Sequence, residues 1–150
     1  MLTLHKLLGA GGSANVNRGI WGGGGSAFDA SGTYYNTLDY ISILTTGNAV
    51  DFGDLTVARF APAATSNGSR GVWGGGQTTA STRSNVIDYI TIATLGNAVD
   101  FGDLTVARAA PAATSNGSRG VWGGGYVSGT TGNPTIDYIT IATTGNAVDF

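Results

Sequence analysis

The groups that could do chemistry in this chain are few. His5 is the only His, Cys and Glu are absent, and the acidic side chains are nine Asp. A Ser-His-Asp site would need His5 beside a Ser and an Asp, and the sequence offers no nucleophile elbow. The absence of Cys excludes disulfides, thiolate metal sites and cysteine nucleophiles. We therefore expect a protein that is not an enzyme and that uses no cofactor.

Oxygen ligands recur at three-residue spacing close to a glycine. They form two sets, Asn48, Asp51 and Asp54, and Asn97, Asp100 and Asp103. Hard cations such as Ca²⁺ take such oxygens, but a dedicated binding loop would carry denser carboxylates. Asn and Asp side chains also stabilise turns through nearby backbone groups. We prefer turn stabilisation, and no metal site is predicted.

Arginines recur along the chain and could bind an anion. They are Arg18, Arg59, Arg70, Arg108 and Arg119. Acidic partners recur as well, at Asp39, Asp88 and Asp137. Because an Arg–Asp pair can form bidentate hydrogen bonds, we expect pairing with these carboxylates, with anion binding as the alternative.

These groups lie within a sequence repeat that occurs three times. Arg-Gly-(Ile/Val)-Trp-Gly-Gly-Gly starts at Arg18, Arg70 and Arg119. Gly-Asn-Ala-Val-Asp-Phe starts 49 residues apart, at Gly47, Gly96 and Gly145. A period of roughly 20–50 residues indicates an array of supersecondary units that bury their apolar faces against one another.

Composition favours strands over helices. Glu is absent and Lys6 is the only Lys, whereas Thr, Val, Ile, Tyr and Trp are plentiful. The sequence therefore predicts an all-β protein. A net charge of −2 provides no basic face for nucleic acid. No stretch approaches the roughly 20 apolar residues of a membrane span, and residues 1–10 do not resemble a signal peptide.

One repeat predicts four short antiparallel strands. In the third unit they cover residues 110–116, 119–125, 136–142 and 147–150, with a loop at 126–135. An Asn-Gly pair at 116–117 predicts a tight turn between the first two. Both faces of the strand at 136–142 carry apolar residues, which suggests that it is covered on both sides.

The order of these features resembles the kelch repeat. In that family an Arg precedes a small-residue first strand, as Arg59 and Arg108 do here. A Gly-Gly pair ends the second strand, as at Gly74-Gly75 and Gly123-Gly124, and the third strand carries a Tyr, as at Tyr89 and Tyr138. The chain departs from that family at Trp73 and Trp122, where an aliphatic residue is usual, and at Phe52, Phe101 and Phe150, where a Trp is usual. The resemblance implies a β-propeller of four-stranded blades.

Three such blades fit the chain, at about 1–54, 55–103 and 104–150. Propellers usually have four to eight blades, so three are either part of a longer array or half of a six-bladed ring closed by a second copy. The repeated sequence motifs also resemble those of kelch-like proteins of tailed marine phages. That resemblance implies a virion, tail-associated or extracellular setting.

The recurring aromatic residues have two possible uses. Trp21, Trp73 and Trp122 could stack on a sugar, but we expect them to fill the space between neighbouring blades, because every repeat carries one. Tyr40, Tyr89 and Tyr138, with Arg70 and Arg119, are assigned as structural repeat positions.

The segments that differ between repeats are the candidate binding loops. They cover residues 22–36, 74–85 and 123–135 and contain Phe28, Tyr34, Tyr35 and Tyr126. Loops of this kind commonly lie on one face of a repeat protein, often the binding face. We expect a structural and binding module that contacts a glycan or a protein there. The alternatives are a purely architectural self-assembling unit and, less favoured, a polysaccharide enzyme.

Overall fold

The computed structural model describes residues 17–26, 32–129 and 131–150, and these residues form antiparallel sheets. The prediction of an all-β protein is confirmed, since the described ranges hold strands and no helix. No helix in these ranges is long and apolar enough to cross a membrane.

The first sheet has three strands in the order β1-β2-β3. They are β1 (Arg18–Gly25), β2 (Tyr34–Ser42) and β3 (Val50–Asp54). The predicted loop at 22–36 is wrong at both ends, because Tyr34 and Tyr35 pair with Gly25 and Gly24 across the sheet. Two consecutive tyrosines have high strand propensity, and they extend β2 into the segment assigned as loop.

The second sheet has four strands in the order β4-β5-β6-β7. They are β4 (Ala63–Ser66), β5 (Arg70–Gly74), β6 (Val86–Thr91) and β7 (Val99–Asp103). Asn67 makes the turn between the first two, because its Oδ1 accepts hydrogen bonds from the backbone N of Ser69 at 3.0 Å and of Arg70 at 2.7 Å.

The third sheet repeats this order and adds a hairpin. Its segments are β8 (Ala112–Ser115), β9 (Arg119–Gly123), β10 (Tyr126–Ser128), β11 (Thr131–Gly132), β12 (Ile136–Thr140) and β13 (Val148–Asp149). The sheet order is β8-β9-β12-β13, and β10 pairs with β11. The loop predicted at 126–135 therefore contains two short strands, which flank Gly129 at a φ of 47°.

The predicted turns and strand positions otherwise match closely. Asn116 Oδ1 accepts hydrogen bonds from the backbone N of Ser118 at 3.0 Å and of Arg119 at 2.8 Å, so the Asn-Gly turn is confirmed. This geometry is local, because the side chain replaces a backbone acceptor two and three residues away.

Each hydrophobic core lies between two successive sheets. The first core joins Leu38, Phe52, Leu55, Trp73, Ile90, Ile92 and Ala98. The second joins Val72, Ile87, Phe101, Leu104, Trp122, Ile139, Ile141 and Ala147. Most members of the second core stand 49 residues after their equivalents in the first, so the same contact is built twice.

Tryptophan is the largest side chain in both cores. Trp73 and Trp122 are buried, and Trp122 Nε1 donates a hydrogen bond of 3.0 Å to the carbonyl O of Ala63 on the preceding sheet. Buried Trp N–H groups usually find such a partner. The ring thus joins two sheets by both apolar contact and a directed bond.

Backbone hydrogen bonds tie the sheets together at the outer strands. The N of Gly96 donates to the O of Phe52 at 2.9 Å, and the N of Gly145 donates to the O of Phe101 at 2.8 Å. A Cβ at Gly102 would lie 2.5 Å from the O of Gly145, so a side chain at position 102 would clash. The two backbone segments can therefore approach this closely only because residue 102 is glycine.

Among the residues that the structure describes, only the middle sheet packs between two other sheets. Ile87 and Ile90, on opposite faces of β6, are both buried. On β12, by contrast, Ile139 is buried and Ile136 is exposed, so the prediction of two covered faces is wrong for this strand. Within the described residues no sheet follows the third.

Truncating the inter-sheet tryptophan tests this packing. We expect Trp122→Ala to lower the free energy of unfolding by about 3–5 kcal/mol, because it leaves a large cavity between sheets. Urea unfolding followed by circular dichroism measures the change. The control Leu95→Ala, at an exposed turn position, should stay within about 0.5 kcal/mol of the parent. Equal effects of the two substitutions would contradict the packing described.

Candidate functional site

Two of the candidate arginines form buried ion pairs. Arg59 Nη2 lies 2.7 Å from Asp88 Oδ2, and Arg108 Nη2 lies 2.6 Å from Asp137 Oδ2. All four side chains have 0% exposure. Because no solvent reaches them, these arginines are committed to the interior and cannot meet a ligand at the surface.

Several groups hold the Arg59–Asp88 pair. Arg59 Nη1 donates to the carbonyl O of Val86 at 3.0 Å, and Thr56 Oγ1 donates to Asp88. Burial lowers the pKa of the Arg59 guanidinium, and the nearby Asp88 carboxylate partly offsets this by raising it. A guanidinium stays protonated in proteins, so Arg59 keeps its charge in the interior, and its role is structural.

The other three arginines lie over tyrosine rings instead of pairing with Asp. Each guanidinium carbon is 4.6 Å from a ring centroid, in the pairs Arg18–Tyr40, Arg70–Tyr89 and Arg119–Tyr138. The expectation that all five arginines pair with carboxylates is therefore wrong for these three. A cation over an aromatic face is attracted by the ring quadrupole.

Two of these stacked arginines also reach the next sheet. Arg18 Nη1 donates to the O of Ile92 at 2.8 Å, and Arg70 Nη1 donates to the O of Ile141 at 3.0 Å. The tyrosines are held on another side by edge-to-face phenylalanines, with centroid distances of 5.9, 5.8 and 5.8 Å for Tyr40–Phe52, Tyr89–Phe101 and Tyr138–Phe150. The structure thus places all three tyrosines in the framework of the sheets.

Side chains from all three repeats meet at one end of the sheets. Tyr34 OH accepts a hydrogen bond of 3.0 Å from Gln77 Nε2. The Arg83 guanidinium lies 4.8 Å from the centroid of the Tyr126 ring. We call Tyr34, Tyr35, Gln77, Arg83 and Tyr126 the variable edge, because each lies in a segment that differs between repeats.

Short backbone bridges position this edge. Phe60 and Gln77 exchange two hydrogen bonds of 2.8 Å, and Gln77 also bridges to Arg83. Ala109 and Tyr126 exchange two bonds of 3.0 Å in the same manner. The bridges at Phe60 and Ala109 each fix a variable segment against the segment that leads into the first strand of a sheet, so the edge residues have defined positions.

Two members of the edge were not predicted from sequence. Gln77 and Arg83 fall in the variable segment at 74–85, which the sequence predicts to be a binding loop. Their only sequence signal is that they differ from the neighbouring repeats. Phe28 and His5, both named in the sequence analysis, lie outside the described residues.

The Asn and Asp sets act between sheets. The backbone N of Asp54 donates to Asn97 Oδ1 at 3.1 Å, and that of Asp103 donates to Asn146 Oδ1 at 3.1 Å. Across the described ranges, no group of three or more His, Cys, Asp or Glu side chains could hold a metal ion.

Each sheet also carries an open cleft at the opposite end from the variable edge. The clefts lie beside Tyr40, Tyr89 and Tyr138 and have volumes of about 230, 270 and 400 Å³. Each is lined by threonine, glycine, asparagine and an exposed valine. Their recurrence follows from the repeat, and their lining carries no charged side chain.

Compared with models of known protein families and with curated proteins, the chain matches none of them. The kelch-like resemblance consequently depends on the repeat residues, and the function has to be argued from the geometry of the sheets and of the variable edge.

The buried pairs give a direct test of their structural role. We expect Asp88→Asn to lower the free energy of unfolding by about 3–5 kcal/mol, because it leaves the Arg59 charge buried without a counter-ion. Chemical denaturation measures the loss. The control Asp100→Asn changes an exposed carboxylate and should leave stability nearly unchanged.

The double substitution Arg59→Met with Asp88→Leu separates charge from packing. Because both charges are removed together, we expect a smaller loss than for Asp88→Asn alone. A double variant less stable than Asp88→Asn would show that the unpaired charge is not what costs stability.

Proposed function

We propose that the three sheets are successive blades of a kelch-like β-propeller. The second and third sheets have the same strand order, and the first has three strands in the corresponding order. The two hydrophobic cores and the backbone bonds between sheets recur at the same repeat positions. This stacking supports blades at about 1–54, 55–103 and 104–150.

We propose further that the chain is a non-catalytic structural and binding module whose variable edge recognises a glycan or a protein. One observation carries this proposal. Tyr34 of the first repeat, Arg83 of the second and Tyr126 of the third lie at one edge, although their segments are the ones that differ between repeats. Gln77 is buried, and its part is to hold the Tyr34 hydroxyl in place.

The chemistry of the edge favours a glycan. Tyr35 is exposed, while Tyr34 and Tyr126 are partly exposed and offer both a ring face and a hydroxyl. A sugar presents C–H groups to aromatic faces and hydroxyls to polar groups, and Arg83 together with the Thr residues at 78, 79 and 82 supplies donors. Aromatic anchors with small polar neighbours are also typical of adaptable recognition loops.

The setting that we propose is a phage virion or tail appendage. This proposal is supported by the resemblance of the repeated sequence motifs to kelch-like proteins of tailed phages. An architectural, self-assembling role is the second candidate, and it is favoured by the exposure of Trp21, whose equivalents are buried.

Binding to a broad glycan array tests recognition by the variable edge. We expect the chain to bind at least one glycan, and Tyr126→Ala and Tyr34→Ala each to weaken that binding about tenfold, equivalent to about 1.4 kcal/mol. Titration with the glycan identified on the array measures the change.

Two controls sharpen this experiment. Tyr126→Phe keeps the ring beneath Arg83 and should retain affinity to within about threefold, or roughly 0.7 kcal/mol. Leu95→Ala, at the opposite end of β6, should have no effect. A chain that binds no glycan, or whose binding is unchanged by both alanine substitutions, would remove the support for glycan recognition.

A further inference from the structure

The first and third sheets each have one face that no described sheet covers. These two faces carry the same kinds of residues that form the contacts between sheets inside the chain. A Cβ at Gly22 would lie 3.0 Å from Trp73 Nε1, and one at Gly74 would lie 2.9 Å from Trp122 Nε1. Each internal contact therefore sets a tryptophan of one sheet against a glycine of the sheet before it. We call Trp21 and Ile43 the tryptophan face, and Gly123, Ile136 and Phe150 the glycine face.

The tryptophan face is exposed where its equivalents are covered. Trp21 is 60% exposed, whereas Trp122 is 0% exposed. Ile43 is 64% exposed, whereas the equivalent Ile141 is 0% exposed. Large apolar side chains exposed on one face of a sheet are typical of a surface that binds another protein.

Trp21 already has the arrangement of its buried equivalents. A Cβ at Gly19 would lie 2.9 Å from Trp21 Cη2, and one at Gly71 would lie 3.0 Å from Trp73 Cη2. Both rings therefore lie over the glycine two residues earlier on their own strand. Because the exposed ring is held as in the packed sheets, docking would cost little side-chain ordering.

The glycine face is also exposed where its equivalents in the second sheet are buried. Ile136 is 44% exposed and Phe150 is 72% exposed, whereas the equivalent Ile87 and Phe101 are buried. A Cβ at Gly123 would meet only Ile136 Cγ1 within 4 Å, at 3.7 Å. The space that Trp122 fills beside Gly74 is thus unoccupied by any described residue beside Gly123.

We propose that the tryptophan face of one copy of this chain docks on the glycine face of a second copy, head to tail. Trp21 fills the space beside Gly123, and its Nε1 donates to the carbonyl O of Ala112, the equivalent of Ala63. Arg119, which lies over Tyr138, donates to the carbonyl O of Ile43, as Arg70 does to that of Ile141.

The internal contact is the argument for a second copy as the partner. The same two surfaces already pack twice within the chain, with tryptophan, isoleucine and phenylalanine at equivalent positions. A contact between two different surfaces of identical chains is heterologous, so it closes into a ring or continues as a filament. The proposal deepens the architectural candidate function named above, on which it rests, and it does not depend on the variable edge.

Analytical ultracentrifugation of the 150-residue chain over a range of concentrations tests the proposal. We expect concentration-dependent association, weakened at least about tenfold by Trp21→Ala and by Gly123→Ala, because central aromatic anchors dominate such interfaces. Gly123→Ala should leave the unfolding temperature of the single chain unlowered, since its Cβ meets no close atom.

Gly74→Ala is the matched control. It makes the same chemical change at the internal position, where the Cβ would press on Trp122. We expect it to lower the unfolding temperature, in contrast to Gly123→Ala. If both glycine variants lost stability equally, Gly123 would be packed within the single chain and the proposal would be overturned.

Mixing the variants identifies a head-to-tail contact. Trp21→Ala retains the glycine face and Gly123→Ala retains the tryptophan face, so an equimolar mixture has one intact contact. We expect it to form two-chain complexes, and nothing larger, at concentrations where each variant alone stays a single chain. A wild-type chain that never associates, association indifferent to both substitutions, or a mixture that fails to pair would each overturn the proposal.

Discussion

Each buried tryptophan occupies a space that a glycine on the preceding sheet leaves open. The contact between Trp122 and Gly74 leaves no room for a Cβ, and the ring nitrogen is held by the carbonyl of Ala63. Around this contact the apolar residues of two sheets gather into one core. A sheet in this chain therefore has no core of its own, and its stability depends on its neighbour, as in repeat proteins generally.

The recurring arginines also help to hold neighbouring sheets together. Arg59 holds Asp88 in the second sheet, while its backbone O accepts a hydrogen bond of 2.9 Å from the N of Gly24 in the first. Arg70 lies over a tyrosine of its own sheet and donates to a carbonyl of the next. These recurring arginines therefore belong to the framework, and the binding role that we propose is assigned to residues that do not recur.

The variable edge follows from the stack. Tyr34 and Gln77 are 43 residues apart, yet they share a hydrogen bond because their segments project from the same end of neighbouring sheets. The sequence marked these segments as variable, but it placed Tyr34 and Tyr35 in a loop and left Gln77 and Arg83 unnamed. Tyr34 and Tyr35 extend the strand through pairing with Gly25 and Gly24, and Gln77 bridges to Phe60 and to Arg83. Which residues pair across strands is not revealed by local propensity alone.

The sequence by itself determined the period, the all-β class and the Asn-Gly turns, because these depend on local residue preferences and on repetition. Only the tertiary structure decided which arginines pair with Asp, because Arg59 and Asp88 are 29 residues apart and meet only when the strands assemble. The same holds for tryptophan: Trp21 and Trp122 stand in nearly identical local sequences, yet one is 60% exposed and the other fully buried. Burial is set by the presence of a preceding sheet, and no property of the residue or its neighbours in sequence can supply that.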